Sequence, residues 1–321
     1  LAKRNGSVVK ALFDAGAHPS PPMSNGDRHK MLEVGRKLRN AAQRGDLRAV
    51  KKLIAAGCNP NLPSSANNTA LILAVQQGYA SIVDYLIGSG ADANIVGING
   101  LSPLHFAVVS EREDIVDSLL ADGGADVNFT ASGRVPPPIV LAGQVGHSRI
   151  LFRLVDSGAD LNLPSPKTGD TALIVSSLHR CTNVAAALIT SGSDVNACAR
   201  NGSTALTIAA ETGHRSMVEL LLAANSDLDA ALTHDQPGCT ALHLAAKADH
   251  TDVVNLLLTA GANPLAKDAN GLTPLDSAQA GGNARIIKLL TAAAANPPLA
   301  ISWAKTSTLK TGDTFCGITL Q

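Results

Sequence analysis

The feature of the sequence that most restricts its fold is a short motif that recurs at nearly constant spacing. The motif reads Thr-Ala-Leu in four places, and variants of it occupy three more; the motifs begin at Thr69, Ser102, Pro137, Thr171, Thr204, Thr240 and Thr273. With a weaker first copy at Arg36, the steps are 33, 33, 35, 34, 33, 36 and 33 residues. A fixed period of this size is typical of repeat architectures, in which each unit buries its apolar faces only by stacking on its neighbours.

Each copy predicts a pair of short helices. The Thr or Ser that opens the motif is suited to cap a first helix, because its hydroxyl can accept a hydrogen bond from a free backbone N–H. A second helix shows the apolar spacing i, i+3, i+4, as in Val253, Leu256 and Leu257. Glycines such as Gly213 and Gly261 are suited to end the two helices. Aromatic residues make up only 2% of a chain that is 45% apolar, so we expect a core of aliphatic side chains between closely packed helices.

These copies closely resemble the ankyrin repeat. The resemblance is carried by stretches such as "NGLTPLDSAQAGGN" and "CTALHLAAKADHTDVVNLLLTAGANP", which contain the family's TPLH, paired-Ala, IVxLLL and GAxxN elements. It covers residues 36–296. The resemblance implies an all-α solenoid of helix–turn–helix pairs with β-hairpin fingers, containing eight repeats plus an N-terminal half repeat.

The two ends of the chain depart from the repeat. Residues 1–35 contain "VVKALFDAGAHP", which matches "AVKKLIAAGCNP" at 49–60 and predicts a half repeat followed by an insertion. This half repeat is either a degenerate cap or the remnant of a longer array. Residues 297–321 no longer follow the pattern and contain Trp303. The tail either folds back onto the last helix or is disordered, and we expect disorder because it has few apolar anchors.

No motif for catalysis, cofactor binding or metal binding is found in the sequence. His105 and His243 lie in the TPLH position of the repeat, which predicts a hydrogen bond from the imidazole to a turn backbone. His179 and Cys181 are close in sequence, but no acidic partner accompanies them, so a nucleophilic site is not expected. We therefore expect a protein that is not an enzyme and has no cofactor.

The resemblance implies that a partner meets the finger tips and the groove face of the first helices. Transferred onto this sequence, these positions contain five apolar residues in copies three to five: Ile98, Leu101, Val109, Val145 and Leu178. Arg134 and His179 belong to the same set of positions. A contiguous apolar patch would mark a partner site, whereas isolated exposed Leu and Val are common and need no explanation.

We therefore expect a scaffold or adaptor that binds another protein. The alternative is a regulatory segment of a larger multidomain enzyme or channel. Lys and Arg balance Asp and Glu, with 26 residues of each sign, which argues against nucleic-acid binding. No apolar run is long enough to cross a membrane, so we expect no membrane partner. We also expect a monomer. Five widely spaced cysteines without a CxxC pair favour reduced thiols and a cytoplasmic location, with the nucleus as the other option.

Overall fold

A computed structural model describes residues 25–97, 99–130 and 134–295, together with two short strands near the C-terminus; the side chains of 25–28 are not described. The described residues form two compact units. The first lies within Leu1–Pro138 and Asp156–Ala159, and the second lies within Ile139–Val155 and Asp160–Gln321. None of the helices in these ranges is long and apolar enough to span a membrane.

The first unit is built from three helix pairs. The helices are α1 (Asn25–Gln43), α2 (Leu47–Ala55), α3 (Ala70–Gln77), α4 (Ala80–Gly88), α5 (Pro103–Val109) and α6 (Glu113–Ala121). First helices pack on first helices, α1 on α3 and α3 on α5, while the second helices α2, α4 and α6 form a parallel layer behind them. The two layers meet in an aliphatic core that includes Leu71, Val83, Leu104 and Ile115.

The second unit is built in the same way from five helix pairs of its own. The helices are α7 (Pro138–Val145), α8 (Ser148–Asp156), α9 (Ala172–Leu178), α10 (Thr182–Thr190), α11 (Ala205–Glu211), α12 (Arg215–Ala223), α13 (Ala241–Lys247), α14 (Thr251–Thr259), α15 (Pro274–Gly281) and α16 (Ala284–Ala295). Two short antiparallel strands, β1 (Thr314–Phe315) and β2 (Ile318–Thr319), place Thr314 opposite Thr319.

Several of the predicted helix caps are present. The hydroxyls of Thr69, Thr171 and Thr204 each accept a hydrogen bond from the backbone N–H three residues later, at 3.3, 3.4 and 3.3 Å. The glycines between and after the helices adopt positive φ, for example 67° at Gly213 and 96° at Gly261. These are the conformations that residues with a Cβ rarely adopt.

Copy four is the exception at both ends of its first helix. Pro137 stands in the capping position without a hydroxyl, and α7 begins at the next residue. Near the other end, Gly143 packs directly on the next first helix: a Cβ at this position would lie 2.7 Å from the carbonyl oxygen of Ala172. The absence of a side chain at Gly143 therefore sets the spacing between α7 and α9.

A chain of asparagine side chains joins successive loops. In the first unit, Asn61 accepts from the backbone N–H of Asp92 at 2.8 Å and donates to the carbonyl of Gly90 at 3.0 Å. In the second unit, Asn196 accepts from the N–H of Asp227 at 2.8 Å. At the position that corresponds to Asn196 in the following loop, the residue is Asp229, whose carboxylate has no N–H to donate. Burial, and then the charge of Asp227, raises the pKa of Asp229.

The loops that lead into the capping residues form the predicted hairpin fingers. In the second unit the fingers are 163–170, 197–203, 229–239 and 265–272, and Cys198 pairs with Thr204 and Ala231 with Thr240 across two of them. The pairing is confined to single bridges, because each finger is short and ends in a tight turn.

Helix α1 extends on the N-terminal side of the predicted start of the first copy. Helix α1 begins at Asn25, whereas the first copy was expected to begin near Arg36 after an insertion. The middle of α1 packs on the first finger, residues 62–68: a Cβ at Gly35 would lie 3.1 Å from Cδ1 of Leu62. Arg39 donates to the carbonyls of Leu62 and Pro63 at 2.9 and 3.1 Å. The half repeat predicted within 1–22 lies outside the described residues, and so does the tail predicted to be disordered, including Trp303, apart from the strands β1 and β2.

The cysteines are not all reduced. Cys58, Cys181 and Cys239 are free thiols, but Cys198 is disulfide-bonded. The prediction of reduced thiols throughout is therefore wrong at Cys198.

Candidate functional site

The exposed apolar residues at the ends of the first helices are the best candidates for a binding surface. Val109 is the last residue of α5 and Leu178 the last residue of α9, and each exposes 52% of its surface. Both lie seven residues after the capping residue of their own copy. In the other copies the same position holds Gln76, Gln144, Glu211, Lys247 and Ala280. Copies three and five therefore present a large aliphatic side chain where five other copies present a polar or small one.

The remaining predicted partner-binding residues are less uniform. Leu101 precedes the cap of α5 and is half-buried, and Val145, at the end of α7, is half-buried as well. Arg134 and His179 are exposed, and His179 follows α9 directly. Ile98 lies outside the described residues. Leu101, Val109 and Arg134 belong to the first unit, and Val145, Leu178 and His179 belong to the second. A single patch formed by all seven residues stays a prediction.

Five large exposed apolar residues were not among the predicted set. Leu32 lies on α1, Phe152 lies on the second helix α8, Tyr79 lies between α3 and α4, and Leu265 and Leu272 lie in the last finger, with exposures between 37% and 50%. A signal for the last two was present in the sequence: Leu265 occupies the position held by the bridging asparagine in earlier copies, and Leu272 directly precedes a capping Thr.

The two TPLH histidines connect neighbouring copies, as predicted. The backbone N–H of Ser102 donates to Nδ1 of His105 at 3.3 Å, so Nε2 carries the hydrogen that it donates to the carbonyl of Pro136 at 3.1 Å. His243 makes the same pair of contacts with Thr240 and with the carbonyl of Leu272. Burial lowers the pKa of His105 to about 4, against the opposing effect of the carbonyls of Pro136 and Phe129. Both imidazoles therefore have a structural role, because each uses both of its ring nitrogens in hydrogen bonds within the fold.

The Cys181 and His179 pair does not have the geometry of an activated nucleophile. The Cys181 thiol lies 3.6 Å from the backbone carbonyl of His179, an acceptor that leaves the hydrogen on sulfur. Burial raises the pKa of the Cys181 thiol, whereas reactive cysteines need a lowered pKa. Within the described ranges, no cluster of three His, Cys, Asp or Glu side chains could hold a metal ion.

Comparison with known proteins identifies the fold. The family model described as "Ankyrin repeats (3 copies)" matches residues 38–131, 139–231 and 228–299. The chain belongs to the ankyrin-repeat family. Its fold is the all-α repeat solenoid of that family, and ankyrin repeats are in general non-catalytic modules that bind other proteins.

The relatives agree with this assignment. The crystal structure of the human ASB11 ankyrin repeat domain has a TM-score of 0.59 and 27% identity, and the match covers 70% of this chain and 96% of that one. The human ankyrin repeat domain-containing protein 40 is 37% identical over 82 residues, which is 25% of this chain and 22% of that protein. The bovine inactive serine/threonine-protein kinase TEX14 is 30% identical over 138 residues, which is 43% of this chain and 9% of that protein. The ankyrin-repeat chain therefore spans less than a quarter of the length of these two curated relatives.

Proposed function

We propose that this ankyrin-repeat chain is a scaffold or adaptor that binds another protein through the exposed ends of its first helices. The observation that carries the proposal is the exposure of Val109 and Leu178, each 52%, at the position where the other copies are polar or small. When a partner covers an exposed aliphatic side chain, binding is stabilised by about 25 cal/mol for each Å² of apolar surface that is buried. Rigid helix ends also hold the side chains in place before binding, which lowers the entropy cost of association.

The predicted neighbours of these two residues complete the proposed surface within each unit. In the first unit they are Ile98, Leu101 and Arg134, and in the second they are Val145 and His179. Arg134 and His179 would lie at the rim, where polar groups fix orientation and contribute little affinity.

Site-specific crosslinking tests the proposal. A photoreactive phenylalanine analogue is placed at 109 or 178 in the full chain, and crosslinked proteins are identified by mass spectrometry. Phe152 is the matched control, because it is 46% exposed but lies on a second helix. The proposal expects one partner that crosslinks from 109 or 178 and not from 152. Equal crosslinking from all three positions, or only from 152, would contradict it.

A second candidate function is a regulatory segment within a larger multidomain enzyme or channel. The observation that favours it is the short coverage of the relatives, 9% of TEX14 and 22% of the human ankyrin repeat domain-containing protein 40, which extend far beyond the matched segment. The complete open reading frame, read from the full-length transcript, decides between a free-standing adaptor and a segment of this kind.

The remaining proposals concern state and location. We propose a monomer that binds neither nucleic acid nor membrane, supported by the balanced charge. Light scattering of the purified chain tests the monomer, because a mass of twice 32.8 kDa would contradict it. A cytoplasmic or nuclear location is supported by the free thiols of Cys58, Cys181 and Cys239, and the disulfide at Cys198 argues against it. Imaging of the tagged full-length protein tests the location.

A further inference from the structure

The fingers of the second unit are joined to one another by backbone hydrogen bonds. The N–H of Arg200 donates to the carbonyl of Thr168 at 3.0 Å, and the N–H of Thr233 donates to the carbonyl of Asn201 at 2.9 Å. The N–H of Ala269 donates to the carbonyl of Pro237 at 2.9 Å. Each finger therefore offers one carbonyl oxygen, which the next finger in the row covers with an N–H.

The residue after each of these acceptors is a glycine that makes the close approach possible. Gly169, Gly202 and Gly238 have φ of 80°, 82° and 82°. A Cβ on any of the three would lie 2.7 Å from a backbone nitrogen of the next finger. That distance is shorter than any real Cβ contact, so the contact between fingers is one of backbone against backbone.

The last finger of the described residues repeats this geometry, and no described segment covers it. Gly271 has φ of 78°, but a Cβ there would have nothing within 4 Å. Asn270 stands in the position of the three acceptors, and no N–H in the described part of the chain donates to its carbonyl. The edge is held in shape by Asp268, whose carboxylate accepts from the N–H groups of Asn270 and Leu272 at 2.8 and 2.9 Å.

Two leucines at this edge, Leu265 and Leu272, are exposed. Leu272 is 46% exposed, whereas Ser203 and Cys239, which directly precede the caps of the two previous copies, are 9% and 8% exposed. Leu265, on the other strand of the finger, is 49% exposed. In the preceding fingers of the second unit, the next finger covers the corresponding surface. The exposed leucines of the last finger therefore present the same kind of surface that joins one finger to the next.

The last helix pair also leaves apolar residues partly exposed, at positions that are buried in earlier copies. Leu275 and Ile287 are half-buried. The residues at the position of Leu275 are buried in all six preceding motif copies: Leu71, Leu104, Ile139, Leu173, Leu206 and Leu242. The first finger of the chain, by contrast, is covered by helix α1 through Gly35 and Arg39.

We propose that the edge of the last finger, residues 265–272, binds an extended segment of a partner protein. The segment donates a backbone N–H to the carbonyl of Asn270 and places an apolar side chain on Leu272, as each finger does for the one before it. Unpaired strand edges are general templates for such addition, in which the backbone supplies affinity and alternate side chains supply specificity. This inference rests on the proposed function of protein recognition and assigns it a second surface with a defined backbone chemistry.

The test uses a peptide that is known to fit an edge of this kind. Residues 265–273 of the chain itself, LAKDANGLT, supply the N–H of Ala269 to the preceding finger, so this capped peptide serves as the probe. It is titrated into the full-length chain labelled with ¹³C and ¹⁵N. The proposal expects a saturable change in the carbonyl shift of Asn270 and in the amide signals of its neighbours.

Two variants show whether the backbone bond and the leucine carry the binding. The same peptide with an N-methyl group on the residue equivalent to Ala269 cannot donate and should not bind. Leu272→Lys in the chain should raise the dissociation constant at least tenfold, whereas Phe152→Lys, on a second helix, should leave it unchanged.

The proposal fails if the Asn270 carbonyl shift does not move at millimolar peptide, if the N-methyl peptide binds equally well, or if Leu272→Lys has no effect. Partner crosslinking from Val109 or Leu178 is independent of this edge. A positive crosslink with a negative peptide titration would therefore overturn this inference alone.

Discussion

Replacing Gly143 by Ala should destabilise the protein, against the usual effect of this change in a helix. Ala is favoured over Gly by about 1 kcal/mol in a helix interior, and Gly143 lies within α7. A Cβ there, however, would lie 2.7 Å from the carbonyl oxygen of Ala172 and 3.3 Å from its Cα. These are backbone atoms of α9, so no side-chain rotation can relieve the contact.

The helices must separate by about 0.7 Å to reach an ordinary contact of 3.4 Å, and each interhelical contact that lengthens loses dispersion energy. Overpacking of this kind costs about 1–3 kcal/mol, which exceeds the gain in helix propensity. We expect a net loss of about 1 kcal/mol in the free energy of unfolding.

Gly88→Ala is the matched control, because Gly88 ends α4 and a Cβ there would have nothing within 4 Å. This variant should gain about 0.5–1 kcal/mol. The assay is urea unfolding followed by circular dichroism, with thermal unfolding as a second measure. If Gly143→Ala is as stable as Gly88→Ala, the close approach of α7 and α9 is not a constraint and the reasoning is refuted.

Three further predictions concern polar groups. Ser193→Ala and Ser226→Ala should each raise the free energy of unfolding by about 1 kcal/mol, because their buried hydroxyls have no hydrogen-bond partner in the described part of the chain; an unchanged or lower melting temperature would contradict this. Asp229→Asn should stabilise the protein at pH 7, since it removes an exposed but partly desolvated carboxylate whose pKa is raised and supplies an amide donor, and no gain in urea midpoint would argue against it. Stability should also fall between pH 6.5 and pH 4 by up to about 3 kcal/mol through His105: the unfolded chain takes up a proton near its ordinary pKa of about 6.5, while the folded imidazole, with a pKa of about 4, does not. In His105→Gln, the free energy of unfolding, measured by urea unfolding at each pH, should fall less between pH 6.5 and pH 4. An identical dependence on pH in that variant would exclude His105 as the cause.

Most of the fold could be predicted from the sequence, because the constraints are local and repeated eight times. A capping Thr such as Thr204, the aliphatic stripe after it and a glycine such as Gly213 each act within a few residues. Any single signal is weak, but the 33-residue period sets them in register with one another.

The features that escaped prediction depend on contacts between copies. The packing of α1 on Leu62 of the first finger, at Gly35, is a contact that no local pattern of the helix indicates. The role of Gly143 depends on its distance from Ala172, a residue of the next copy. The disulfide at Cys198 could not be read from cysteine spacing either.

The candidate site was predictable by position and less so by exposure. Val109 and Leu178 lie at helix ends because both occupy the same position of the repeat, seven residues after the capping residue, and both are half exposed in the structure. Leu101 and Val145 were selected by the same rule, but both are half-buried. Leu272 was missed because its exposure depends on the lack of a following finger among the described residues.

The central claim is that exposed first-helix ends carry partner recognition, and the most direct test is a comparison of three variants. The protein identified by crosslinking is titrated calorimetrically against Val109→Asp, Leu178→Asp and the control Phe152→Asp. We predict that at least one of the first two weakens binding tenfold or more, which is about 1.4 kcal/mol. We also predict that the control binds normally and that all three melt within a few degrees of the parent. Normal binding by both Val109→Asp and Leu178→Asp, or a loss of binding only in Phe152→Asp, would contradict the claim.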